Sequence, residues 1–215
     1  METLTHTHSL DLTNVRPVAD ETTREGMISA AIAMLAGGGE SSIRVTQVAE
    51  AVGVSEPAVY HHFKNRQELV LATYAEWYRR ELMTVETPER IVTSSSNVDE
   101  FLEGVRADLR WRFNAERNRS RAARLTVLGA AQRDQELTAL INAINREFLL
   151  EVENLFALAR DKGWIRRDAD VRAIAYWLIG MVTGRALAEM DDGRVDMDAW
   201  DAIAIDAFVG YISSK

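Results

Sequence analysis

Between Val45 and Phe63 the chain reads Val-Thr-Gln-Val-Ala-Glu-Ala-Val-Gly-Val-Ser-Glu-Pro-Ala-Val-Tyr-His-His-Phe, and several of these side chains have the chemistry to read a nucleic acid. The Glu56 carboxylate can accept from a cytosine amino group, and Pro57 and Ala58 offer apolar contact to a thymine methyl. The Tyr60 phenol can donate to a phosphate oxygen, and the Thr46 hydroxyl can reach a phosphate or a base edge. Lys64, just beyond the run, is a compact positive charge suited to phosphate. Arg44 and Ser55, at the mouths of the two segments described next, complete the set. Each has a structural alternative. For Thr46 and His61 the two readings stand level. For His62 packing between helices is preferred, and for Tyr60 and Lys64 the contact is preferred.

These side chains need two short helices joined by a tight turn. Val45, Val48, Ala49 and Val52 recur at helical spacing and give the first helix one apolar face. Gly53 follows where a helix stop tolerates positive φ. Ser55 is an N-cap residue for the second helix, and Pro57 is acceptable in its first turn because the missing amide has no intrahelical partner there. Val59 and Phe63, four apart, then share a buried face, which turns Glu56, Pro57, Ala58, Tyr60 and His61 outward. A helix-turn-helix presents its second helix to the major groove in this way. Asn65 and Glu68 have the spacing of a capping box for the next helix, whose positive end suits a phosphate, with Lys64 and Arg66 beside it.

Ala30-Ala31, Val48-Ala49, Gly53-Val54-Ser55, Tyr60, His62-Phe63-Lys64-Asn65 and Glu68-Leu69 together resemble the tetracycline-repressor (TetR) family of transcriptional regulators over residues 22 to 80. The resemblance implies an all-α fold: an N-terminal three-helix DNA-binding domain, then an α-helical ligand-binding and dimerisation domain. It also implies a homodimeric repressor released from a palindromic operator by a small molecule. Tyr60 and Lys64 fall at DNA-contacting positions of that family. Three departures bear on the operator: Arg44 replaces a frequent threonine, Arg66 a usual lysine, and Glu56 stands where an uncharged polar residue is common.

Composition sets the outer bounds. The 215 residues allow one large domain or two modest ones, and 47% hydrophobic content supports a substantial core. Absence of cysteine excludes disulfide and thiolate-metal chemistry. No signal peptide is expected, and the most apolar stretch, 173–190, carries Arg185 and Glu189, which speaks for a buried helix and against a membrane span; a cytoplasmic location is expected. The net charge of −8 argues against nucleic-acid binding, yet from Arg24 to Arg66 four bases face four acids, so the acidity belongs elsewhere. Residues 1–20 are read as a disordered tail, 21–66 as the DNA-binding domain and 67–215 as the ligand-binding and dimerisation domain. His6 and His8 lack a third ligand nearby, so no metal is expected, and no cofactor either. Arg16 is the one tail residue suited to a minor-groove contact.

The helical spacing predicts helices over 22–36 and 66–84, a loop around Pro88 and Ser94-Ser95-Ser96, and helices near 98–116, 120–131, 134–162, 168–190 and 197–213. The last two are apolar enough to need a partner, and Gly180 and Gly184 permit close approach, so a homodimer through them is expected, with an intrachain core as the alternative. Trp111, Leu128, Phe148, Trp177 and Met181, joined by Phe113 and Phe156, are the candidate lining of a small-molecule pocket. Seven arginines fall between Arg106 and Arg124. They are read first as a solvated helix face. One arginine turned inward toward an anionic ligand such as a fatty acid or acyl thioester is the alternative, as is a second DNA patch. A helical enzyme is the weakest reading: no phosphate loop, zinc-protease or nucleophile-elbow motif occurs, and His61 and His62 are the only histidines outside the tail. A DNA-binding protein without a ligand is the remaining option.

Overall fold

The computed structural model describes residues 18–82, 89–191 and 193–213. Among them are ten α-helices, two single 3-10 turns and no strand. The helices are α1 (Val18–Gly38), α2 (Val45–Val52), α3 (Glu56–His62), α4 (Arg66–Leu82), α5 (Glu89–Ser94), α6 (Val98–Phe113), α7 (Asn118–Ala131), α8 (Gln135–Asp161), α9 (Val171–Ala188) and α10 (Met197–Ser213). The fold is all-α. Two expectations need correction. Helix α1 begins at Val18, so residues 18–20 are helical and not tail; His6, His8 and Arg16 lie outside the described residues. The serine run after Pro88 does not mark a loop throughout, because α5 ends within it. The Ser94 and Ser95 hydroxyls donate to the carbonyls of Arg90 and Ile91 at 2.6 and 2.7 Å, which lets serine sit in a last helical turn. Pro88 itself lies outside the described residues.

The chain divides into two compact units, one ending at Thr73 and the other starting at Tyr74, so the division falls inside α4. In the first, α1 packs on α2 and α3. Met27, Ile28, Ala31 and Leu35 from α1 are buried with Val45, Val48, Ala49, Val59, Phe63 and Leu69. Each fully buried aliphatic or aromatic side chain contributes about 1.5–3 kcal/mol, so this small core is enough to fix the angle between α2 and α3.

The second unit is a bundle around α8, which packs on α5, α7 and α9, while α10 packs on α6 and α9. Asn97 caps α6 by accepting from the Glu100 amide at 3.0 Å, and Glu100 returns a bond to the Ser96 amide at 2.8 Å. That bond holds the Glu100 carboxyl below the usual carboxylate range. Phe101, Phe113, Phe156 and Phe208 are fully buried and form the aromatic centre, with Phe156 edge-on to Phe208 at 5.9 Å.

Candidate functional site

Helix α2 starts at Val45 after an extended Arg44 and stops at Gly53, which has φ 71 and ψ 32. The Gly53 amide donates to the Glu50 carbonyl at 3.2 Å and the Val54 amide to the Ala49 carbonyl at 3.0 Å. This paired bonding is a Schellman ending, and it needs the left-handed backbone that glycine adopts without a Cβ penalty. Ser55 is extended, and its carbonyl accepts from the Ala58 and Val59 amides, so its backbone opens α3 as expected. Its hydroxyl makes no capping bond, however. Pro57, second in α3, has no amide to leave unpaired.

With Val59 and Phe63 buried, the opposite side of α3 faces solvent. Glu56, Pro57, Tyr60 and His61 are exposed there, Tyr60 at 48%, and Ala58 is half-buried beside them. Thr46 is exposed near the start of α2, with Arg44 and Ser55 exposed at the two helix mouths and Lys64 exposed past the end of α3. His62 is half-buried, with its ring 6.4 Å from Phe63. The Asn65 and Glu68 pair closes as a capping box: Asn65 Oδ1 accepts from the Glu68 amide at 2.9 Å, and Glu68 accepts from the Lys64 amide at 2.8 Å. Arg66 is turned away from the phosphate role assigned to it. Its Nε donates to the Ile43 carbonyl at 2.9 Å and its Nη2 to the Glu40 carbonyl at 2.7 Å, which ties the start of α4 to the α1–α2 connection. Arg24 stacks over the Phe63 ring at 5.1 Å. Of the four cations in this segment, Arg44 and Lys64 are the exposed ones.

The second unit does not gather the five candidate pocket residues around one space. Trp111 is exposed beneath the Arg117 guanidinium, 3.8 Å from its ring centroid. Trp177 is exposed and packs on Phe208 and Tyr211. Phe148 and Met181 are buried and Leu128 half-buried. A narrow cavity of about 10 Å³ lies instead among Ile91, Val105, Leu109, Phe156, Leu178 and Phe208, with the Asp108–Arg112 pair at its edge. That volume holds at most one water. Phe156 is the one expected residue that lines it. The i,i+4 pair of opposite charges on α6, in phase with Val105 and Leu109, was the available sign of Asp108 and Arg112.

The arginine run is not a solvated face. Arg110 and Arg119 are exposed, but Arg112, Arg121 and Arg124 are buried. Arg112 Nε meets Asp108 at 2.6 Å. Arg121 is ion-paired to Glu189 and donates to the Arg112 and Asn114 carbonyls at 2.7 and 3.1 Å. Glu189 is shared with Arg185, which also forks onto Asp201 at 2.7 and 3.0 Å. This network ties α7 to α9 and α10. Its sequence sign was Arg185 and Glu189, four apart, in the apolar stretch 173–190. Tyr78 donates to Asn145 at 2.8 Å, and burial pushes its phenol above its ordinary pKa against the pull of Arg124. Among the described residues no cluster of His, Asp or Glu could hold a metal ion, and no helix is long and apolar enough to cross a membrane.

Residues 27–73 match the profile described as "Bacterial regulatory proteins, tetR family". The chain is 23% identical over 190 residues to the "Fatty acid metabolism regulator protein" of Bacillus subtilis, covering 88% of this chain and 95% of that protein. Among solved structures it is similar to a TetR-family transcriptional regulator from Cytophaga hutchinsonii, with a TM-score of 0.69 at 17% identity over 94% of this chain and 100% of that one. It is also similar to the transcriptional regulator FadR from Bacillus subtilis in complex with stearoyl-CoA, with a TM-score of 0.61 at 20% identity over 87% and 98% of the two chains. The structural likenesses establish the fold.

Proposed function

From the place of this chain in the tetR family of bacterial regulatory proteins, we propose that it is a homodimeric transcriptional repressor that a small-molecule effector releases from a palindromic operator. One observation carries the DNA-reading part. The Gly53 turn and the buried Val59 and Phe63 fix α3 so that Glu56, Pro57, Tyr60 and His61 share its solvent face. Thr46, Ala58 and Ser55 flank that face, and Arg44 and Lys64 supply charge for phosphates. Residues 21–66 form the reading domain in this scheme and 67–215 the effector and dimerisation domain. Operator DNA places the protein in the cytoplasm. Its relatives are regulators, which favours binding over catalysis.

Support for the dimer comes from a stripe of exposed apolar and small residues. On α9, Ala173, Trp177, Gly180 and Leu187 recur at helical spacing, and on α10 so do Ile203, Ala207 and Tyr211. Leu187 and Ile203 are 68% and 71% exposed, a large apolar surface for a lone chain. The opposite side of α9, with Ile174, Ala175, Leu178 and Val182, is core of its own chain. Two reading helices one DNA turn apart, about 34–36 Å, would double the few phosphate contacts each can make.

The effector is an apolar molecule with an anionic end. The relative seen with stearoyl-CoA and the buried arginines of α6 and α7 both favour this class. Because the interior cavity is too small for such a molecule, binding there must select an opened form, and the differential affinity for that form would move α4 and respace the reading helices. Selection from random duplexes should converge on an inverted repeat whose complex is dissolved by the effector. Failure to enrich any duplex over random competitor removes the regulator reading.

A further inference from the structure

Arg124 is the one buried side chain among the described residues with polar atoms left unmatched. It is 6% exposed, and both Nε and Nη2 are shut away from solvent without a hydrogen-bond partner. Its surroundings come from four helices. Tyr78 and Glu81 belong to α4, Arg112 to α6, Arg124 itself to α7, and Asn145, bound to Tyr78, to α8. Arg117, beside α7, adds a third positive charge. The charges of Arg112, Arg117 and Arg124 gather here with Glu81 and Asp108 opposed to them, and Asp108 is engaged by Arg112 at 2.6 Å. A buried guanidinium with empty donor directions destabilises a fold unless an anion or water completes it.

We infer that Arg124 is an anion site that takes the carboxylate of an apolar acid, with its planar fork holding the head of the effector. The inference rests on the effector reading above and deepens it by naming the head group and its anchor. A carboxylate matches two parallel N–H donors of a guanidinium, and Tyr78, whose phenol donates to Asn145, lies beside the Arg124 guanidinium. The apolar body has a route as well. Arg112, which lies over the Phe148 ring at 5.7 Å, also borders the narrow cavity of Val105, Leu109 and Phe156. A tail there must push side chains apart, so the loaded and empty forms differ in packing. The depth of Arg124 favours a small head such as a free carboxylate over a bulky nucleotide thioester.

The test uses the full chain and calorimetric titration with dodecanoate, palmitate, dodecanol and palmitoyl-CoA. Wild type should bind the two carboxylates. Arg124→Met should weaken them at least tenfold, leave dodecanol unchanged, and melt no lower than wild type without ligand, since it loses an unmatched charge. Arg124→Lys, which keeps the charge and loses the fork, should also weaken carboxylate binding. Unchanged carboxylate affinity in either folded variant overturns the assignment, as does a wild type that binds palmitoyl-CoA and not palmitate. Gel shifts of the same ligand-free samples on selected duplexes separate the two readings. Operator binding without carboxylate binding sinks the Arg124 site alone, and carboxylate binding lost in Arg124→Met without operator binding sinks the regulator alone.

Discussion

Lys64 and Arg66 lie two residues apart and carry the same charge, yet the structure gives them different work. Lys64 is exposed past the end of α3, whereas Arg66 is bonded to the carbonyls of Ile43 and Glu40. Replacing Lys64 with Ala should therefore lower operator affinity and reduce the salt slope by about 0.9 per lost phosphate contact, near 2 for a dimer, with the melting temperature unchanged. Arg66→Ala should do the reverse: a lower melting temperature and an intact salt slope. Salt titration of operator binding beside thermal melts checks both. Sequence could not separate the two, because the Arg66 partners lie 23 and 26 residues away. The outward phase of α3 was legible because Val59 and Phe63, four apart, leave only one way to turn the helix. Gly53 was legible too, and its φ of 71 puts a cost on substitution. No atom lies within 4 Å of a Cβ placed there, so the cost is backbone strain alone. Gly53→Val should lose about 1–2 kcal/mol, with Gly53→Asn milder because asparagine tolerates this conformation; chemical denaturation would measure both.

At the scale of elements, long periodic helices were legible and short or polar ones were not. Helix α8, at 27 residues with a regular buried stripe, stands close to its expected bounds. Helix α5 has six residues, and its serines satisfy themselves locally, so no apolar period announced it. Helices α9 and α10 taught a different lesson: both were recognisably too apolar, but which stripe faces inward depends on neighbours that sequence does not supply. The outward stripe makes a prediction. Ile203→Asp places a charge in the expected partner face, so sedimentation should show a monomer, and operator affinity should fall with it. A variant that remains dimeric would move the interface elsewhere. The inner ionic network makes another. Glu189 joins Arg121 and Arg185, both buried. Glu189→Gln leaves Arg121 short of its charge partner while Arg185 keeps Asp201, and should cost about 3 kcal/mol, at the low end for a broken buried pair because Glu189 keeps some solvent access. A melting temperature equal to wild type would mean that water replaces the carboxylate fully.

For the whole molecule, charge and linkage set what a regulator of this kind can do. The chain carries a net charge of −8, while Arg24 to Arg66 is neutral, so the acidity sits outside the reading segment and opposes indiscriminate attraction to DNA. With Arg44 and Lys64 as the exposed cations of that segment, the proposed scheme draws its affinity from two copies on one repeat and from the fit of α3 to its bases. Such an interaction is easily undone by a modest change in spacing, which an effector can supply if it binds the released form more tightly. Linkage then fixes a measurable symmetry. If palmitate weakens operator binding by some factor, saturating operator must weaken palmitate binding by the same factor, typically about 5–150-fold for coupled sites. Titrating palmitate into the free protein and into its operator complex gives one factor, and titrating operator with and without saturating palmitate gives the other independently. Equal factors above one would establish that the Arg124 region and α3 report on a single equilibrium, and an affinity for palmitate that operator leaves untouched would show that the two sites act without reference to each other.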